Sequence, residues 1–502
     1  MDKEKSLNAR LDKCILIVPL SMILVLCLLF FMVPELSGHT LEVVRNFLGN
    51  DLSAYYVLMG VGAVVVSLYM ALSKIGQVRL GADEKPAYSN FSWGCMIFTS
   101  TMAADILFYS LCEWALYAEN PHIEALGGMQ KWAETYALFH WGPIAWSFYV
   151  ILAVAFGFML HVRKRDKQKF SEACRPLLGN RVDGVAGKVI DIIAVIALLA
   201  GTATTFSLSA PLLATAAGRV FHFTAGSGVA IVILVIIAVT YTVTVWFGMK
   251  GIGRLASACV YMFLALLAYV LISGGEARYI IENGISSVGN MLQNFIGMAT
   301  WCDPARETGF AQDWTVFYWA YWMAWCVATP FFIAVISKGR TIKNTVFGAY
   351  GWGLAGTFMS FIVLGGYGMA KQMHGTVDAA GKLSAGAGYS DVILEILETL
   401  PLSSFVLILL AVTMIAFYAT TFDALTMVVS SYSYKALAPD ETPDRRIRVF
   451  WAILFILFPI ALIFSENSMR NLQSVTLIAA FPIGIIIVLI VASFFKDVGK
   501  NV

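Results

Sequence analysis

The chain has 502 residues, of which 59% are hydrophobic and 13% charged, and its net charge is +2; its mean hydropathy is +0.76. Soluble domains carry roughly 25% charged residues. The balance therefore describes a polytopic membrane protein with little room for a separate soluble domain, and it offers no basic surface for nucleic acid.

The N-terminus reads MDKEKSLNARLDK, and the apolar run behind it lacks a small-residue cleavage site. It is expected to stay as a helix rather than leave as a signal peptide. Apolar stretches long enough to cross a bilayer fall near 14–32, 54–72, 91–116, 138–161, 188–212, 228–247, 255–273, 314–336, 346–369, 402–429, 447–464 and 474–495. They predict an all-α membrane protein with about twelve transmembrane helices, called spans 1 to 12 below.

Ionisable groups at membrane depth are costly and are functional candidates. In span 3, Asp105 lies mid-helix in STMAADILFYSLCEWALY, with Glu113 two turns further on. Asp105 reads as a proton carrier or the counter-charge of a cation, against a carboxylate hydrogen-bonded inside the bundle. Glu113 reads equally as a residue at the helix end or as a functional one. Span 4 opens FHWGPIAWSFY, gathering Trp141, Trp146 and Tyr149 near its outer end, where Pro143 interrupts helical bonding. His140 there reads as an interfacial hydrogen-bonder. Span 5 starts with Asp191, which Lys188 at i−3 is placed to pair. It continues as GTATTFSLSAP, whose Thr202, Thr204, Thr205, Ser207 and Ser209 are either oxygen donors for an alkali cation or a small-residue packing face.

Between spans 7 and 8, Ile285, Val288, Met291, Leu292, Phe295 and Ile296 recur at helical spacing, predicting an amphipathic helix along the outer surface. Span 8 then carries Trp314, Phe317, Tyr318, Trp319, Tyr321, Trp322 and Trp325 before a basic end at Ser337-Lys338-Gly339-Arg340. Lipid-facing helices keep Trp and Tyr to the interfaces. Tyr318, Trp322 and Trp325 follow i, i+4, i+7 and share a face. That face is either the wall of a site for a quaternary ammonium group or an aromatic belt with ordinary packing behind it. After the 9–10 loop, where DVILEILETL predicts a short helix, span 10 carries Phe417, Thr420, Thr421 and Asp423. The two threonines read as cation donors or packing residues, and Asp423 as structural.

Basic residues concentrate in the 2–3, 4–5, 6–7, 8–9 and 10–11 loops, the 4–5 loop above all, so both termini are expected in the cytoplasm. None of the eight cysteines forms a CxxC pair and the six histidines lack metal-ligand spacing, so no disulfide framework or zinc site is expected. No GxSxG, HExxH or P-loop occurs, and the expected class is not an enzyme.

Two stretches carry a resemblance. DWTVFYWAYWMAW…IAVISKGRTI resembles the signature of the betaine/carnitine/choline transporter family, which reads roughly WTxFYWAWWxxW and ends ARISRGRT. FHWGPIAWSFY resembles the family's helix 4, and RPLLG followed by GKVID resembles its 4–5 linker. The resemblance implies a leucine-transporter-like bundle of two inverted repeats, spans 3–7 and 8–12, with sites midway through the membrane where the first helix of each repeat is interrupted. The implied organisation is a tail at 1–13, two extra helices within 14–90, repeats at 91–273 and 314–495 separated by the outer segment 274–313, and a tail at 496–502. It also implies a homotrimer among membrane lipids, in a prokaryotic cytoplasmic membrane.

The family's aromatic box falls on Trp141, Trp146, Tyr149, Trp322 and Trp325, with Tyr321 where the family usually has Trp. The sodium-coupled members' Thr-Ser pair falls on Thr420 and Thr421, with Phe417 before them, so a sodium ion or a proton is the implied coupling ion; no other cofactor is implied. The chain departs from the pattern at Met102, Ala103 and Ala104, where the family has a Gly-x-Gly stretch. The following Asp105 resembles the choline-type, proton-coupled branch. Cys259 and Thr329 stand where carnitine/butyrobetaine exchangers have Arg and Met, and Val335 replaces the signature arginine. The expected function is uptake of a small quaternary ammonium compound (choline, glycine betaine, carnitine or a related methylamine) by alternating access. Asp105 would pair with substrate or carry a proton, and Thr420, Thr421 and Thr329 would hold sodium. The alternatives are ion-independent exchange of carnitine type and, from another class, a ligand-gated channel or sensor.

Overall fold

The computed structural model describes residues 7, 9–81, 85–100, 104–165, 167–246, 249–437, 441–464 and 469–499. Every element in it is helical, and the extended pairing is confined to two isolated bridges, Leu11 with Tyr434 and Arg79 with Thr341. This is what a hydrocarbon solvent requires, because a helix satisfies its own backbone.

Among the described residues seven helices are long and apolar enough to cross a membrane, or up to ten if each of three bent pairs is one span. The seven are Lys13–Met32, Ser53–Leu72, Met129–Val162, Val185–Phe221, Ile342–Met373, Ser403–Tyr432 and Gln473–Val498. The pairs are Asn90–Ser100 with Ala104–Ala118, bent by 67°, Ser257–Ser273 with Ala277–Thr300, bent by 112°, and Ala311–Trp325 with Thr329–Ile336, bent by 55°. Helices Ser227–Trp246 and Arg445–Phe464 occupy the stretches expected as spans 6 and 11. The 112° turn carries Ala277–Thr300 across the end of span 7 and makes it the amphipathic helix. Met291 faces the protein, while Ile285, Leu292 and Ile296 are exposed. Span 5 exceeds its expected length and runs to Phe221, because Leu212, Leu213 and Ala216 keep a buried face beyond Pro211 until His222 caps the helix at a φ of +59°. It packs against spans 8, 10, 11 and 12 and forms the axis of the bundle.

The segments around Arg10 and Asp497 meet the 4–5 and 10–11 loops at one end. Lys435 N–H donates to Arg10 O at 2.9 Å, Arg10 pairs with Glu441 at 2.6 Å, Arg163 pairs with Asp497 at 2.8 Å, and Lys169 Nζ donates to Tyr432 O at 2.9 Å. The expected pair of Asp191 with Lys188 is corrected here. The 4–5 linker folds back over the start of span 5, so Asp191 accepts from Ser171 N–H at 3.1 Å and Ser171 Oγ at 2.9 Å, with Lys169 Nζ at 3.8 Å. Asp423, read from the sequence as structural, pairs with Arg448 of span 11.

Arg448→Met leaves Asp423 without its counter-charge. It should destabilise the fold by about 3 kcal/mol, read as a lower melting temperature in detergent, and Asp423→Leu added to it should recover most of the loss.

Candidate functional site

Spans 3 and 8 are each bent, by 67° and 55°. In span 8 the helix Val316–Trp325 stops, and a new one starts at Thr329 with Pro330 in its first turn. A proline supplies no N–H, clashes with the carbonyl four residues back and suits the first turn of a helix. Pro330 therefore encodes the break, a signal the sequence reading passed over. In span 3, Met102 and Ala103 of the expected unwinding lie outside the described residues. The described part of the second half runs Ala104–Ala118 and carries Asp105.

The broken spans meet through a hydrogen bond. Asp105 is buried at 4% exposure. Its Oδ1 accepts from Ile106 N–H at 3.1 Å and its Oδ2 from the Tyr321 hydroxyl. That hydroxyl also pairs with Thr205 Oγ1 of span 5 at 2.6 Å, and the Tyr418 hydroxyl of span 10 donates to the carbonyl of Thr205 at 3.2 Å. One polar string thus links spans 3, 8, 5 and 10. The packing reading of span 5 holds for its neighbours: Thr204 pairs with Thr476 of span 12 at 2.6 Å, and Thr202 donates to its own Leu198 carbonyl.

Beside this string, aromatic rings converge on Trp322. Its ring centroid lies 5.0 Å from Tyr149, 5.5 Å from Trp141 and 6.0 Å from Trp146, with interplanar angles of 64°, 75° and 52°. Tyr109 joins the box to the string, 5.6 Å from Trp141 and 6.3 Å from Tyr321. The sequence reading left it out, although it stands one turn beyond Asp105 on the same face. Trp325 lies about 10 Å further along the axis than Tyr318. It meets Tyr321 at 6.4 Å, and its Nε1 would stand 3.3 Å from a Cβ placed on Gly201, so it packs toward span 5 and makes no ring contact with Trp322. Trp146, Trp322 and Trp325 are buried and their indole N–H groups have no acceptor among the described residues.

The expected ion residues separate. Thr329 stands beside the Tyr149 hydroxyl, at the box. Thr420 Oγ1 donates to Phe417 O at 2.9 Å and Ala416 O at 3.2 Å and meets Cys259 of span 7. Phe417 packs on Phe263 of the same span at 5.9 Å, and Thr421 is half-buried. Among the described residues no three His, Cys, Asp or Glu side chains converge as a metal site.

A second carboxylate lies behind the box. Glu113 is fully buried and accepts from the Tyr117 hydroxyl at 2.7 Å, the Trp141 indole N–H at 2.7 Å and the Tyr318 hydroxyl at 2.6 Å. His140 is fully buried and hydrogen-bonded. It meets Tyr117 at 2.9 Å and Thr315 at 3.0 Å, and its ring stacks on Tyr318 at 4.8 Å.

The family model for betaine/carnitine/choline family transporters matches residues 14–502. A carnitine transporter of Acinetobacter baumannii is 28% identical over 85% of this chain and 78% of its own. The glycine betaine transporter OpuD of Bacillus subtilis is 29% identical over 93% of this chain and 91% of its own. The betaine/ectoine transporter LcoP of Corynebacterium glutamicum is 27% identical over 89% of this chain and 71% of its own.

Gly353 of span 9 backs the box, and a Cβ there would stand 2.5 Å from three atoms at the rigid end of the Trp146 ring. Gly353→Ala should cost about 1–3 kcal/mol by overpacking and shift the intrinsic tryptophan emission. Melting and emission spectra of the purified variant check both.

Proposed function

The chain belongs to the betaine/carnitine/choline family of membrane transporters, and from that premise we propose that it takes up a small quaternary ammonium compound by alternating access. The observation that supports this most is the convergence of Trp141, Trp146 and Tyr149 on Trp322 at steep angles. Rings set at such angles turn several π-faces toward one point, and a cation that cannot donate hydrogen bonds gains about 0.5–2 kcal/mol from each good face. Asp105 is linked to the box through Tyr321 and then Tyr109, whose ring meets that of Trp141. A fixed negative charge there suits a substrate with no carboxylate of its own, which places choline first among the candidates and glycine betaine, carnitine and other methylamines after it.

Asp105 is also the proposed coupling group, taking a proton at one face of the membrane and releasing it at the other. Sodium coupling would instead use the hydroxyl oxygens of Thr420 and Thr421, with Phe417 packed beside them and Thr329 near the box. The family resemblance supports a homotrimer in a prokaryotic cytoplasmic membrane. The charge of the loops supports cytoplasmic termini.

Purified protein titrated with choline, glycine betaine, carnitine and butyrobetaine, with and without sodium, and followed by tryptophan fluorescence tests the reading. A saturable change with one of them is expected, weakened at least about tenfold by Trp322→Leu. No response to any of the four overturns it, and sodium- and pH-independent uptake that needs substrate on the far side transfers the protein to the exchangers. In proteoliposomes Asp105→Asn should flatten the pH profile of uptake or change substrate choice while the melting temperature holds. An unchanged profile removes Asp105 from coupling.

A further inference from the structure

We propose that Glu113 is a specificity-determining positioning residue, acting through the Trp141 indole to make that ring a stronger receptor for a quaternary ammonium group. The inference rests on the aromatic box being the substrate site and adds a residue that works from behind the ring.

Trp141 differs from the other tryptophans of the site. The indole N–H groups of Trp146, Trp322 and Trp325 have no acceptor among the described residues, whereas that of Trp141 donates to Glu113 Oε2 at 2.7 Å. The Tyr318 hydroxyl donates to the same oxygen at 2.6 Å and the Tyr117 hydroxyl to Oε1 at 2.7 Å. The protons of the cluster can be placed consistently. With Thr315 donating to His140 Nε2 and His140 Nδ1–H donating to Tyr117, the imidazole is neutral and Tyr117 spends its proton on Glu113. In this tautomer three donors converge on Glu113 as an acceptor-only group, and the ionised carboxylate is the form proposed for it. Among the described residues Glu113 has the imidazole of His140 at 3.8 Å and no lysine or arginine within ion-pair distance.

A glutamine would accept from Trp141 and Tyr318 through its single carbonyl oxygen but would turn its amide N–H toward Tyr117, so only a carboxylate accepts from all three donors. The charge does something an amide cannot. Drawing the indole proton toward a negative oxygen shifts electron density into the ring, and the carboxylate adds its own field in a medium of low dielectric. Both raise the negative potential over the face of Trp141, and cation–π attraction is electrostatic. Tyr318 fixes the geometry from a second side, its ring 6.0 Å from that of Trp141 at 64°.

The test compares each quaternary ammonium ligand with its tert-butyl isostere, in which a carbon replaces the nitrogen and the shape is kept. Choline and glycine betaine, each with its isostere, are titrated against wild type and Glu113→Gln. Glu113→Gln should weaken the cation about fivefold and the isostere less than about twofold. Equal losses for both would reduce Glu113 to a packing role, and no loss for either would remove it from the site. Wild type that binds neither cation would instead overturn the substrate reading itself. If Glu113→Gln does not fold, the Raman indole N–H marker of Trp141, assigned by difference from Trp141→Phe, decides. A strongly hydrogen-bonded position supports the inference, and a free position overturns it.

Discussion

The organising constraint is that span 3 carries two carboxylates into a solvent that cannot hydrate them. Each is met by a tyrosine of span 8: Asp105 by Tyr321 and Glu113 by Tyr318. An unpaired polar group in hydrocarbon costs several kcal/mol, so these two contacts hold the broken spans in one relative position. The ranks of Tyr318, Tyr321 and Trp322 on a single helix then place Trp322 against span 4, because Tyr318 and Trp322 flank the same ring, Trp141, at 6.0 and 5.5 Å.

The breaks are needed for this arrangement. A straight span 8 would carry the residues after Trp325 past the site, whereas the 55° bend lets the chain restart at Thr329 beside Tyr149. Pro330 makes the bend inexpensive, since the first turn of a helix has no use for its missing N–H. The bend also frees backbone groups of Cys326–Ala328 from regular helical bonding. Span 5 supplies the rigid wall behind, with Thr205 in the polar string and Gly201 small enough for Trp325 to lie against it.

The polar network and the aromatic box are therefore parts of one device. Tyr109 touches both Trp141 and Tyr321, and Glu113 holds the edge of Trp141. A change in the charge or hydrogen bonding of Glu113 reaches Trp141 directly, and one at Asp105 reaches it through Tyr321 and Tyr109. Such short paths between a titratable group and a binding surface are a physical basis for coupling substrate to an ion without a dedicated signalling element.

The amino-acid sequence determined the class of solvent, the helical fold, the family and the aromatic density of span 8, because hydropathy and periodicity are local properties that a window of twenty residues contains. It also carried the break, in Ala328-Thr329-Pro330, and the two carboxylates. The tertiary structure decided which groups they meet. Lys188 is one turn from Asp191, yet Lys169 and Ser171 are its partners, since a loop folding back outranks helical spacing. Tyr318, Trp322 and Trp325 share a face by spacing, yet Trp325 turns to span 5 while Trp322 gathers three rings from span 4. Thr420 and Thr421 stand next to each other in the chain, and only the packing of span 10 on span 7 shows that Thr420 faces Cys259. Partners in a membrane interior are selected by non-local packing and by the cost of an unmet polar group, and neither is written in the spacing of one helix.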